Sequence, residues 1–172
     1  MISRLGFLAI VLALLLGGCG FHPLYGDRAR GDYDADLATI KVNTISDRLG
    51  QQLAESLRDG FNPYGVKVPA RYVLDVKLTA DRNDLGIRTD GTASRTQMMV
   101  VANFQLKEIA TDRTVLQGMT RTAVSFDSLS DEYANVVARQ NAQVRSLQDI
   151  SDDIRTRVLV YVTRHRSTAS TQ

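Results

Sequence analysis

Beyond residue 36 the chain switches between two hydrophobic periods, and each switch marks a new element. Ala38-Thr39-Ile40-Lys41-Val42-Asn43 alternates apolar and polar side chains, which predicts a strand with Ile40 and Val42 on its buried side. From Ser46 onward Leu49, Leu53, Leu57 and Phe61 recur at every fourth position. That spacing predicts an amphipathic helix of about four turns, capped by Ser46 and stopped by Gly60, Asn62 and Pro63. Tyr72, Leu74, Val76, Leu78 and Ala80 then alternate with Val73, Asp75, Lys77, Thr79 and Asp81, a second strand with one core face and one polar face. Asn83 to Thr92 contains Gly86, Gly91 and the pair Asp90-Gly91, the signature of a hairpin connection. A third strand, about Thr96 to Ile109, keeps Met98, Val100, Ala102, Phe104 and Leu106 in one phase before the short turn Thr111-Asp112-Arg113. A fourth, about Val115 to Phe126, puts Leu116, Val124, Phe126 and the small Gly118 on one face and Gln117, Arg121 and Ser125 on the other. After Asp131 the period is helical again, with Val137, Val144, Leu147, Ile154, Val158 and Tyr161 on one stripe of a helix of about eight turns. Asp131 and Glu132 stand near the positive end of its dipole.

The order is strand, helix, three strands, helix, and every element has one apolar face. Two helices on one face of a sheet bury all of these faces at once, which predicts an α+β fold. It is a two-layer sandwich: a four-stranded, mostly antiparallel sheet with both helices packed on one side and the other side facing water. The expected boundaries are 1–18 for a signal peptide, 19–36 for a tether and irregular lead-in, 37–166 for a single domain and 167–172 for a polar tail.

The segment before the domain changes the picture from a soluble body to an anchored one. Arg4 precedes the apolar run Leu5 to Leu16, too short to span a bilayer as a helix, and Gly17 and Gly18 follow. Leu16-Gly17-Gly18-Cys19 resembles a bacterial lipobox, in which small residues fit the peptidase and the thiol receives a diacylglycerol before cleavage. Cys19 is the chain's single cysteine, so it can form neither an internal disulfide, a four-ligand thiolate metal site nor a CxxC redox pair, and lipidation accounts for it. Two or three acyl chains at roughly 0.8 kcal/mol per buried methylene would anchor the chain durably. Gly20 follows, rather than the Asp that resembles an inner-membrane retention signal, which points to the outer membrane.

Composition mainly excludes. Twenty-one basic residues nearly cancel nineteen acidic ones, at net +2, so the chain lacks the bulk field of a nonspecific nucleic-acid binder. Its two histidines, His22 beside the anchor and His165 near the end, are poorly placed for catalysis. There is no HExxH, GxSxG or GxxxxGK motif and no calcium-loop spacing, and the adjacent Asp152-Asp153 point about 100° apart on a helix face. An enzyme is not expected, nor a metal or other cofactor beyond the diacylglycerol and N-acyl lipid on Cys19. Arginine dominates the cations, 17 Arg against 4 Lys. Base composition accounts for that; alternatively some guanidinium groups hold phosphate in bidentate fashion. Arg82, Arg88, Arg95 and Arg121 lie on or beside the polar sheet and its hairpin, where a phosphorylated lipid could be met.

Cys19-Gly20-Phe21-His22-Pro23-Leu24-Tyr25-Gly26 resembles the opening of the LptE family, the lipopolysaccharide-assembly lipoproteins of Gram-negative outer membranes. The length, the element order, Thr96-Gln97-Met98 at the third strand and an Arg-containing fourth strand are similar as well. The resemblance implies a protein that plugs and helps assemble the LptD β-barrel and takes part in carrying lipopolysaccharide to the outer leaflet, with LptD and lipopolysaccharide as partners. It also implies lipopolysaccharide-binding basic residues, which here fall on Arg88 in the hairpin and on Arg139 within Ala138-Arg139-Gln140-Asn141. The competing expectation is an auxiliary lipoprotein of another envelope lipid-transport complex, one that would share an anchor and a small α+β body.

Overall fold

The computed structural model describes residues 35–87, 93–127 and 131–169. Strand β1 (Ile40–Val42) leads to helix α1 (Asp47–Phe61), strands β2 (Tyr72–Ile87), β3 (Ala93–Glu108) and β4 (Arg113–Asp127), and helix α2 (Glu132–Ala169). They form one sheet in the order β1-β2-β3-β4, with β1 parallel to β2 and the remaining pairs antiparallel. This is the expected α+β architecture.

Register fixes which side chains share a face. Leu74 lies opposite Leu106, Val76 opposite Phe104 and Ala102 opposite Thr120, so the even-numbered positions of β2 and β3, and of β4 from Leu116 onward, point toward the helices. Against them pack Leu53, Leu57 and Phe61 of α1 and Ile150, Ile154 and Val158 of α2, all buried. Gly118 sits across from Phe104 because nothing larger fits: a Cβ there would lie 2.8 Å from the ring's Cζ. Gly50 likewise admits Ile45, whose Cγ2 would be 2.6 Å from an added Cβ.

Four expectations are corrected. The hairpin does not begin at Asn83, because Asn83 to Leu85 pair with Gln97 to Arg95 and the strands run on to Ile87 and Ala93. Thr96 helps to hold this extension by donating its hydroxyl proton to Asp84 Oδ1 at 2.9 Å. Ser46 occupies the cap position of α1 without a side-chain hydrogen bond, and Asp47 takes a left-handed φ of 68° at the first helical position. Val137 and Val144 of α2 are exposed. The buried stripe is Ala142, Ser146, Leu147, Ile150, Ser151, Ile154, Val158 and Val162, and the hydroxyl of Ser146 is satisfied by donating to the Ala142 carbonyl. Finally, α2 is 38 residues long and reaches Ala169, longer than the expected eight turns, which at 3.6 residues each make about 29 residues, because no Gly or Pro interrupts it.

Element lengths set up the site. Strands of 16 residues extend about 53 Å and α2 about 57 Å, but α1 with its 15 residues only about 22 Å. The hairpin half of the sheet therefore has α2 above it and no second helix, and β2 is exposed from Thr79 through Gly86.

Candidate functional site

The recess left by the short helix is where two of the arginines meet. Leu49 in the first turn of α1, Ala80 of β2, Met98 of β3 and Phe126 of β4 form apolar walls, and Asp81, Arg82, Arg139 and Gln143 complete a cavity of about 190 Å³. A second recess of about 380 Å³ opens beside it between the helices, sharing Leu49, Arg139 and Gln143 and adding Arg48, Gln52, Val136, Gln140 and Val144. Arg82 reaches this place from the even-numbered, helix-facing side of β2. Arg139 reaches it from about two turns into α2.

The electrostatics leave Arg82 available to a ligand. Its Nε and Nη2 both donate to Asp84 Oδ1 at 3.3 Å while about half of the side chain stays exposed, a surface pair of the kind that contributes at most about 1 kcal/mol. A phosphate offering two acceptor oxygens could take over those donors at small cost. Arg139 is exposed to solvent. The arrangement suits an amphiphile whose anionic group meets the guanidinium rim while hydrocarbon lies against Leu49, Met98 and Phe126.

The other arginines go elsewhere. Arg95 is on the opposite sheet face, in register with Asp127. Arg121 lies at the free edge of β4 in a recess it shares with Asp149, Asp153 and Arg157. Arg88 and Cys19 lie outside the described residues. Asp153 forms an ion pair with Arg157 at 2.9 Å, as a solvated helix face would, and Asp152 is exposed. His165 is spent on its own helix, with Nδ1 2.9 Å from the Tyr161 carbonyl oxygen and its ring 4.0 Å from that of Tyr161.

A larger recess of about 720 Å³ involves the outer sheet face at Asp75, Lys77, Asn103, Gln105, Lys107 and Gln117. Its principal charges satisfy each other. Lys107 Nζ is 3.0 Å from Asp75 Oδ2 and Asn43 donates to Asp75 Oδ1 at 2.6 Å; with Lys107, that hydrogen bond holds the Asp75 carboxyl below its ordinary pKa. Among the described residues no group of three or more His, Cys, Asp or Glu could hold a metal ion, and no helix is long and apolar enough to cross a membrane.

Sequence reasoning found Arg82 and Arg139 separately but not that they share a cavity. It assigned Leu49, Met98 and Phe126 to the core. The available signal was the mismatch between a four-turn helix and strands of more than ten residues.

Comparison with known proteins is consistent with this picture. The family model described as LptE: Lipopolysaccharide-assembly matches residues 37–158. An uncharacterized protein of Rickettsia prowazekii is 19% identical over 161 residues, covering 90% of this chain and 96% of its own. A chain described as a lipoprotein from Caulobacter crescentus has the same fold with a TM-score of 0.62 at 24% identity, over 78% of this chain and 97% of that one. An uncharacterized lipoprotein B from Nitrosomonas europaea gives 0.52 at 10% identity, over 72% and 83%.

Proposed function

Because the chain belongs to the LptE lipopolysaccharide-assembly family, we propose that it is an outer-membrane lipoprotein, anchored through Cys19, that holds lipopolysaccharide at the Arg82–Arg139 recess and plugs the LptD barrel. Members of the family are assembly proteins rather than enzymes, and so is this chain. The observation that carries the ligand half of the reading is the convergence of two arginine side chains, from β2 and α2, on one apolar-walled cavity. Lipopolysaccharide pairs phosphates with acyl chains, the two chemistries that this cavity offers.

The plug half is supported by the outer sheet face. Gln97, Asn103, Gln105 and Gln117 occupy odd-numbered positions there beside Asp75 and Lys107, which pair with each other, and neutral amides can exchange water for the polar lining of a large barrel at small cost. Purification in mild detergent through a tag after Gln172 tests it. A stoichiometric β-barrel companion is expected; recovery of a membrane-embedded pump with its periplasmic subunits, and no barrel, would contradict the reading.

A further inference from the structure

The two edges of the sheet are finished differently. β1 exposes an edge of only three residues, and that edge is guarded. The Thr39 carbonyl accepts from the Tyr72 N–H at 3.2 Å and the Asn43 N–H donates to the Leu74 carbonyl at 3.0 Å, so the odd-numbered residues turn their backbone toward β2 and Val42 turns its carbonyl outward. Arg58 of α1 meets that carbonyl, its Nη2 donating at 3.2 Å. The other edge is β4, with 15 residues. Its one irregularity lies opposite Leu106 and Lys107, and from Leu116 to Asp127 it pairs with β3 without interruption, about 40 Å of strand at roughly 3.3 Å per residue.

Over this length β4 lacks the devices that natural edge strands use against pairing. There is no proline and no lysine, and between Leu116 and Phe126 the only charge is Arg121. Among the described residues, the backbone groups of β4 that face away from β3 are bonded to nothing. N–H and C=O groups alternating along one line are matched by one kind of ligand, another extended backbone. Beside the edge there is room for it: residues 119–122 with Asp149, Asp153 and Arg157 of α2 bound a recess of about 600 Å³. Its acids are engaged, Asp149 by the Thr122 hydroxyl at 3.1 Å and Asp153 by Arg157 at 2.9 Å. The Arg121 guanidinium has no partner among the described residues, and Met119 is 53% exposed.

We infer that β4 takes a fifth strand from the barrel partner, an extended segment that places a carboxylate against Arg121 and an apolar side chain against Met119. The inference rests on the plug reading and says which backbone of the plug the barrel protein holds. Wall strands of a closed barrel pair with one another all the way round, so the added strand belongs to a segment that enters the lumen. A second copy of this chain is the poorer occupant. Antiparallel pairing of β4 with itself about a two-fold axis near Thr120 would bring a second Arg121 and a second α2 into the same recess, whereas a bare strand with a carboxylate fills it and neutralises the free cation.

The test uses the full chain in the complex purified through a tag after Gln172. A photoreactive phenylalanine analogue replaces Gln117, Met119, Arg121 or Ala123 in turn, positions that share one face of β4. Each advance of two residues along β4 should shift the linked position on the barrel protein by about two, in one direction and within one segment, as strand register requires. Hydrogen exchange supplies the backbone readout: the fast amides of residues 116–126 in the isolated chain should slow about tenfold or more in the complex. Links scattered over several segments, or exchange that is unchanged, with the barrel present, overturn the inference and leave the plug reading standing. Links from β4 to a second copy of this chain overturn it as well. Absence of any barrel from the purified material overturns both.

Discussion

Gly118 and Asp75 show how single residues are fixed by one close neighbour each. The Phe104 ring lies over Gly118 and is fully buried, so it has no room to yield to a new side chain. Gly118→Val is expected to cost about 1–3 kcal/mol in chemical denaturation, and a companion Phe104→Leu should recover part of that loss. Asp75 titrates below its ordinary value because Asn43 and Lys107 favour its charged form. A carboxyl whose folded pKa is depressed stabilises the fold above its unfolded value near 4, and the gain disappears as pH falls through the folded value. Asp75→Asn should therefore cost about 0.5–1 kcal/mol at pH 7 and nothing once the native carboxyl is protonated. Denaturant midpoints that differ equally at both pH values would disprove the assignment.

At the scale of elements, periodicity located the four strands and the two long helices of the described residues but overstated how much of each was buried. The alternation in β2 continues through Ala80, yet only Tyr72 and Leu74 are buried, since α1 ends the cover before the strand ends. Alternation reports which side of a strand is apolar, not whether a partner reaches it. The hairpin was read too long because Gly86 looks like a turn residue, whereas its positive φ of 79° is accommodated within a strand whose pairing resumes at Ile87. In α2 the valines at 137 and 144 fit the apolar stripe by spacing, but the small Ala142 and Ser146 are what the close approach to the sheet and α1 actually buries. That correction is measurable. Ile154→Ala should cost about 2–5 kcal/mol, as a fully buried side chain does, and Val144→Ala should stay within about 0.5 kcal/mol. Comparable losses at the two positions would restore the original stripe.

At the scale of the whole molecule, the long strands separate two ends with different chemistry. About 33 Å of β2 lies between Tyr72, beside the start of the domain, and Arg82 in the recess. One end offers the exposed apolar and basic loop of residues 63–71, and the other an apolar cavity rimmed by Arg82 and Arg139. Family membership was legible from the opening motif and element order because those lie in local sequence. The shared cavity was not, because it depends on the length of one helix relative to strands distant in the chain. The most direct measurement is titration of lipopolysaccharide against the wild-type chain, the double variant Arg82→Gln/Arg139→Glu and the control Arg121→Glu at the β4 edge. The double variant should bind about tenfold or more weakly, the loss expected for charge-assisted contacts to phosphate, while the control binds as wild type and all three melt alike. Undiminished binding by the double variant would contradict the account.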